Sequence, residues 1–87
     1  MSLAILNGSY EVVKYLASIG APLDVKDSDH NTYLHIAAIA GHLNIFIFFA
    51  QKLSLSAKNK HEFEPLDVAK TRGFTHIVEF MASIQNN

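Results

Sequence analysis

Residues 32–46, TYLHIAAIAGHLNIF, form an apolar stretch that is interrupted by one glycine and two histidines. Thr32 is of a residue type that caps helix N-termini well, so a helix is predicted to start at Tyr33. Gly41 then separates this short helix from a second apolar stretch of helical character. The segment therefore predicts two helices that are joined by a break at Gly41.

Glycines mark a repeat along the whole chain. Gly8, Gly41 and Gly73 lie 33 and then 32 residues apart, and an apolar helical stretch follows each of them. In the first and third copies the apolar residues are spaced i, i+3, i+4 and i+7, which predicts one buried helix face in each. These residues are Val12, Tyr15, Leu16 and Ile19 in the first copy and Ile77, Phe80, Met81 and Ile84 in the third.

The segments that precede the glycines also align. NTYLHIAAIAG at residues 31–41 pairs with FEPLDVAKTRG at residues 63–73, and the first copy keeps only the end of this element, LAILNG. Each full unit is a turn-rich segment, a short inner helix, a glycine break and a longer outer helix. We expect a single domain with a partial repeat at residues 1–26, a full repeat at residues 27–58 and a C-terminal, capping-like repeat at residues 59–87.

The two complete inner helices differ in how well their N-terminal residues stabilise the helix start. Pro65 suits a first helical position, because its missing N–H costs nothing there. Glu64 is a weaker N-cap than Thr32, and Asp67 in the first turn partly offsets this through the helix dipole. Small residues are expected to let the inner helices approach closely, and large ones to fill the layer between the outer helices. The small residues are Ala37, Ala38 and Ala69, and the large ones are Phe46, Phe48, Phe49, Phe80 and Met81.

The stretch at residues 32–46 resembles the ankyrin repeat, since it is close to the family pattern T-P-L-H-x-A-A-x-x-G-H. EPLDVAKTRG is similar to the looser form of a last repeat and IGAPLDVKD to the family's loop, so about two and a half repeats cover nearly the whole chain. Tyr33 replaces the usual Pro, Leu53 the loop Gly, and His30 and Glu62 the hairpin Gly. The resemblance implies an all-α solenoid of stacked helix-turn-helix units joined by short β-hairpin loops.

Composition narrows the class of protein. The 87 residues are 49% hydrophobic and 17% charged, which is typical of one small globular domain. With seven Lys+Arg against eight Asp+Glu, the chain lacks the basic field that favours nucleic acid. The longest apolar run, at residues 43–50, is too short for membrane insertion. The sequence has no cysteine, which excludes disulfides and thiolate chemistry, and we expect an intracellular, cytoplasmic location.

The acidic segment DSDHN, which precedes the first complete inner helix, carries the oxygen ligands of a metal site. Asp27, Asp29 and Asn31 match the first three ligand spacings of a calcium-binding EF-hand loop. However, Thr32 and Ala38 stand where such a loop requires its Gly and its bidentate Glu. We therefore interpret the segment as a turn tip whose side chains bond to their own backbone.

Five histidines offer nitrogen ligands for zinc, but none of them falls in an H-E-x-x-H motif. The resemblance implies that His35 bonds to backbone near its helix start and fixes the hairpin, and that His42 bonds to backbone in the turn between helices. The sequence has no G-x-S-x-G motif and no glycine-rich phosphate loop. We expect no enzyme activity and neither metal nor cofactor, and a small His- or metal-dependent enzyme is the distant alternative.

The resemblance implies that the chain binds a partner protein along a concave surface of hairpin tips and inner helices. Phe63 is the expected anchor, because aromatic residues dominate interface hot spots, and its alternative role is to pack beneath its own hairpin. A second functional hypothesis is a structural spacer within a longer ankyrin array. The expected contact residues are Lys26, Ser28, Asp29, Asn31, Ile39, Ala40, Lys60, His61, Phe63, Thr71 and Arg72.

The N-terminal end of the chain is a further candidate for contacts. It begins within a repeat, whereas terminal repeats normally carry a polar outer face. Here the apolar residues Leu3, Ile5 and Leu6 are expected to lie at the open end. We therefore expect either that the chain is a fragment of a larger repeat protein or that it self-associates through this end.

Overall fold

The computed structural model describes residues 1–85, which form six helices and contain no strand. This confirms the expected all-α repeat fold, and the two hairpin loops are hydrogen-bonded turns between helix pairs. The inner helices are α1, α3 and α5, and the outer helices are α2, α4 and α6. The boundaries placed between repeats stay a prediction. The helices are α1 (Ser2–Leu6), α2 (Tyr10–Ser18), α3 (Tyr33–Ala40), α4 (Leu43–Ala50), α5 (Pro65–Arg72) and α6 (Thr75–Gln85).

Both complete inner helices start at the predicted residues. The Thr32 hydroxyl accepts a hydrogen bond from the His35 N–H, and His35 Nδ1 accepts one from the Thr32 N–H at 3.1 Å. This reciprocal pair satisfies two backbone donors that a helix start otherwise leaves free. In α5, which begins at Pro65, the Asp67 carboxylate accepts from the Glu64 N–H at 3.0 Å. Asp67 therefore supports the weaker start by a direct bond as well as by its charge.

The breaks at Gly8 and Gly41 also serve as stacking points for the next repeat. Gly41 ends α3 with a left-handed backbone, at φ 78°. A Cβ at this position would lie 2.6 Å from the Phe74 ring, so only glycine leaves room for that ring. His42 stands against Gly8 in the same way, with a ring atom 2.7 Å from the place of a Cβ. The expected backbone bond of His42 is therefore wrong for the start of α4, where its side chain makes no cap hydrogen bond.

The core lies between successive helix pairs. In the inner layer α3 packs against α1 on one side and α5 on the other, and in the outer layer α4 packs against α2 and α6. Fully buried alanines line the inner layer, as expected from their size. The Phe46 and Phe80 rings meet edge to face at 6.1 Å in the outer layer. The fully buried core residues are Ile5, Val13, Leu34, Ala37, Ala38, Ile45, Phe46, Phe49, Ala69, Ile77 and Met81.

Two expectations for the first copy are wrong. Ile5 is fully buried and does not lie open to solvent, although Leu3 and Leu6 are exposed. In α2 the buried residue is Val13, whereas Val12, Tyr15 and Ile19 of the predicted buried face are exposed and Leu16 is half-buried. The reason is that α2 packs against α1 and α4, and Val13 is the apolar residue that points toward them. The apolar spacing identified an apolar side of α2, but it did not show against which side of α2 the neighbouring helices pack.

Candidate functional site

Two hairpin turns of the same construction project from the helix pairs. The Asp27 carboxylate accepts hydrogen bonds from the Asp29 and Asn31 N–H groups, both at 2.9 Å. Asn59, 32 residues later, accepts the equivalent bonds from the His61 and Phe63 N–H groups, at 2.9 and 3.1 Å. The interpretation of the acidic segment as a turn tip is thus confirmed for Asp27, since its own turn occupies this carboxylate.

The environment of Asp27 stabilises its charged form. Burial acts to raise the pKa of this carboxyl, but the hydrogen bonds from Asn31 and from the Asp29 N–H outweigh that effect. The pKa of Asp27 therefore lies below its ordinary value of 3.8. The hydrogen bonds that lower the pKa are the ones that close the turn, so folding of the turn and ionisation of Asp27 are linked.

The two hairpins are bonded to each other. The Lys60 N–H donates to the Asp29 carbonyl at 3.0 Å, and the Lys60 ammonium lies 2.7 Å from the Asp29 carboxylate. The hydrogen bond to Asp29 raises the pKa of Lys60. Beneath them the Asn59 amide donates to the Asn31 side-chain oxygen at 3.0 Å, and both residues are buried. Three expected contact residues, Asp29, Asn31 and Lys60, therefore use polar groups to join neighbouring repeats.

His35 connects its own helix start with the second hairpin. Its Nδ1 accepts from the Thr32 N–H, so Nε2 carries the ring proton and donates to the Phe63 carbonyl at 2.7 Å. The ring is fully buried, and burial lowers the pKa of His35 below its ordinary value of 6.5. His35 thus bonds to backbone at the helix start as expected, and in addition holds the following hairpin.

A groove of about 240 Å³ lies between α3, α5 and the second hairpin. Six of the expected contact residues line it, while Lys26, Ser28, Asp29, Ala40 and Lys60 do not. Two further lining residues were missed: Asn59, whose equivalence to Asp27 was visible in the repeat, and Val68, one helical turn before Arg72. The expected residues that line the groove are Asn31, Ile39, His61, Phe63, Thr71 and Arg72.

The groove combines an apolar floor with one basic group. Val68 is nearly buried beneath it, Ile39 is half-buried, and the Phe63 ring stays about half exposed at its edge. Arg72 makes no ion pair with any residue in the described part of the chain, and the groove lining contains no carboxylate. The groove can therefore take an apolar side chain together with a neighbouring negative charge.

Over residues 1–85 the His, Asp and Glu side chains form no group of three or more that could hold a metal ion. None of the helices described there has both the length and the apolar character needed to cross a membrane.

Comparison with known proteins matches a sequence model of ankyrin repeats, in three copies, to residues 1–87. Over 80 residues the chain is 36% identical to Protein ACCELERATED CELL DEATH 6 of Arabidopsis thaliana, which covers 88% of this chain and 12% of that protein. Over 57 residues it is 32% identical to the Notch-regulated ankyrin repeat-containing protein of Homo sapiens and of Xenopus tropicalis, which covers 66% of this chain and 50% of each relative. The chain thus spans only part of these relatives. Its repeated helix pairs, left-handed glycine breaks and family match show that it belongs to the ankyrin-repeat family.

Proposed function

We propose that this chain binds a partner protein through the groove between α3, α5 and the second hairpin. Ankyrin repeats are generally protein–protein interaction modules and are typically not enzymes. The observation that supports this particular surface is the Arg72 guanidinium, which has no ion-pair partner among residues 1–85, beside an apolar floor. The groove is also smaller than the roughly 300–1,000 Å³ typical of small-molecule sites, which favours a single side chain of a protein ligand.

The chemistry of the groove defines the ligand segment. A bulky apolar side chain would rest on Ile39 and Val68, with the Phe63 ring closing over it. A carboxylate next to that side chain would bond to Arg72, whose planar guanidinium suits a bidentate contact. His61, whose ring centroid lies 6.3 Å from that of Phe63, borders the same opening. The proposed ligand is thus an exposed loop or extended segment in which an apolar residue adjoins Asp or Glu.

The hairpin tips form the rim of the proposed interface. Lys26 and Ser28 are exposed, and the Asp29–Lys60 ion pair is about half exposed. Rim charges of this kind contribute little binding free energy and act mainly on association rate and on specificity. The binding free energy is therefore assigned to the groove, with Phe63 and Arg72 as its two anchors.

Selection of random peptides on the immobilised chain tests this function, followed by titration calorimetry with the enriched peptides. We expect enrichment of an apolar residue next to Asp or Glu. Phe63→Ala and Arg72→Glu should each weaken the binding of such peptides about tenfold or more. Both residues are exposed, so neither substitution should unfold the protein.

Two variants outside the groove serve as matched controls. Tyr15→Ala removes another exposed aromatic ring, and Lys52→Glu reverses another exposed positive charge. Both should leave peptide affinity unchanged. If the groove and control variants bind equally well, this surface is not the binding site, and the spacer hypothesis is the better account of these repeats.

A further inference from the structure

A second groove, of about 430 Å³, lies between the outer helices α2 and α4. We call it the outer groove, and it shares no residue with the groove beside α5. Its floor is apolar, and two lysines border it, one from α2 and one from the segment that directly follows α4. The residues that line the outer groove are Lys14, Ala17, Ser18, Leu23, Phe48 and Lys52.

Aromatic rings hold both lysines at the edge of the outer groove. The Lys14 ammonium lies 4.8 Å from the centroid of the Tyr10 ring, and the Lys52 ammonium lies 4.8 Å from that of Phe48. Each ring precedes its lysine by four residues, and the two rings meet edge to face at 6.4 Å. The two positive charges are therefore placed before a ligand arrives, which lowers the entropy cost of binding.

The later repeat shows that the fold does not require these lysines. Between α4 and α6, the residues equivalent to Lys14 and Lys52 are Ile47 and Ile84, which are both half-buried. Apolar side chains thus serve the stacking of the outer helices at these positions. Lysine ammonium groups stay in contact with water, so they border the space between α2 and α4 and do not fill it. They are available for contact with a ligand.

The positive charge at the outer groove is poorly balanced by the chain itself. Among residues 1–85, Lys52 makes no ion pair and Lys14 pairs only with Glu11, at 3.5 Å. The Lys14 and Glu11 side chains are 43% and 84% exposed, so this ion pair is weak. The described residues that line the groove include no carboxylate. A ligand with two carboxylates, one for each lysine, would complement this charge.

We propose that the outer groove binds a segment of a partner protein in which acidic residues flank an apolar residue. The apolar side chain rests on Ala17, Leu23 and Phe48, and the carboxylates bond to Lys14 and Lys52. This site goes beyond the proposed function, because the groove beside α5 offers a single guanidinium and thus takes one carboxylate. The chain would hold two acidic segments at once, one on each side of the repeat stack.

The shape of the outer groove favours a protein segment over other anions. None of its lining residues is buried, whereas small-molecule sites enclose roughly 70–90% of the ligand surface. A flat membrane surface would reach the lysines but not the floor between the two helices. The phosphates of a nucleic acid would leave the apolar floor uncovered, and the chain has a net charge of -1. A side chain that projects from a peptide can fill the floor.

Peptide selection on the Phe63→Ala/Arg72→Glu double variant, in which the groove beside α5 lacks its two anchors, isolates ligands of the outer groove. We expect enrichment of an apolar residue with Asp or Glu on both sides. In the same double variant, Lys14→Glu and Lys52→Glu should each weaken peptide binding about fivefold or more in titration calorimetry. Glu11→Gln should strengthen it, because this carboxylate competes for Lys14. Changes of opposite direction do not arise from loss of folding.

Lys70→Glu is the matched control, since it reverses the charge of an exposed lysine outside both grooves and should leave affinity unchanged. Absence of acidic enrichment would overturn the proposal, and so would unchanged affinity in Lys14→Glu and Lys52→Glu. Binding to phosphatidylserine vesicles without peptide enrichment would assign the lysines to a membrane and would also overturn it. Ligands of the groove beside α5 respond to Arg72→Glu and not to Lys52→Glu, so failure of one site is distinguishable from failure of the other.

Discussion

His30 and Glu62 hold a left-handed backbone, with φ of 62° and 68°. For residues with a side chain this conformation costs roughly 1–2 kcal/mol relative to the right-handed one. The two residues are equivalent, 32 positions apart, and stand where the family pattern has glycine. Each hairpin holds the strained residue through the Asp27 or Asn59 oxygen, which accepts N–H groups on either side of it.

Replacing the strained residues with glycine should stabilise the protein. For Glu62→Gly and His30→Gly we expect the free energy of unfolding to rise by about 0.5–1 kcal/mol each, because removal of the strain exceeds the added entropy of the unfolded chain. Urea denaturation monitored by circular dichroism measures this change. Ser28→Gly, in the same turn as His30 but without a positive φ, should be neutral or destabilising. Equal effects of His30→Gly and Ser28→Gly would contradict the assignment of strain.

His35 should make stability depend on pH in the weakly acidic range. Its pKa in the folded protein is lowered by burial below 6.5, so the unfolded chain takes up this proton more readily. The contribution of His35 to the free energy of unfolding is therefore fully present well above pH 6.5, and it is lost as the pH falls below 6.5. Urea titrations at a series of pH values should show this decline, and His35→Gln should flatten it while lowering stability at every pH. A decline of unchanged slope in His35→Gln would assign the effect to another group.

At the scale of elements, the glycines that end α3 and α5 allow the effect of backbone conformation on stability to be distinguished from the effect of stacking. Gly41 and Gly73 have nearly the same left-handed backbone, with φ of 78° and 75°. Only Gly41 stands against a ring of the next repeat, whereas a Cβ on Gly73 would meet no atom of the described residues within 4 Å. The two positions therefore form a matched pair in which only the contact with Phe74 differs.

Gly41→Ala should destabilise the protein more than Gly73→Ala. Both alanines incur the left-handed cost of about 1 kcal/mol, and Gly41→Ala must also displace the Phe74 ring, for which we expect about 1–3 kcal/mol more. Thermal and urea unfolding of both variants measure the difference. Phe74→Leu, combined with Gly41→Ala, should recover part of the extra loss. Equal destabilisation by the two alanines would show that the ring moves aside without cost.

At the scale of the whole molecule, the hairpins act as a connection between repeats. Asn31 bonds to Asn59, Asp29 to Lys60 and His35 to the Phe63 carbonyl, so each link joins the second copy to the third. The bond between the asparagines is buried, whereas the ion pair is half exposed. Buried hydrogen bonds are costly to break because the remaining partner is left unsatisfied, and exposed ion pairs are weak.

Substitution of Asn59 should therefore lower the free energy of unfolding more than substitution of Lys60. Asn59→Ala removes the bonds to the His61 and Phe63 N–H groups and leaves the Asn31 oxygen without its partner, so we expect a loss of about 2–3 kcal/mol. Lys60→Ala should leave the free energy of unfolding nearly unchanged, because solvent screens the ion pair. Urea denaturation compares the two variants. A larger loss for Lys60→Ala would mean that the ion pair, and not the buried amides, joins the repeats.

Local interactions explain what could be predicted. The helix starts at Tyr33 and Pro65 and the turns at Gly41 and Gly73 depend on residues within one helical turn, so the sequence by itself determined them. The period of the glycines then determined the order of the helix pairs, and with it the all-α repeat fold. The burial of Met81 followed from the apolar spacing and that of Phe46 from its size, because their outer helices have neighbours on both the inner and the preceding side.

Only the tertiary structure decided which apolar face is covered and which polar groups find each other. Val13 and Val12 are adjacent and identical in type, yet the first is buried and the second exposed, because burial depends on where α1 and α4 lie. The sequence placed Asp29 and Lys60 on separate hairpins as contact residues, and the stacking of repeats brought them to 2.7 Å. Val68 likewise became part of the groove through the approach of α3 to α5. Periodicity reports the chemistry of each helix face, whereas the arrangement of neighbouring helices determines which face meets solvent.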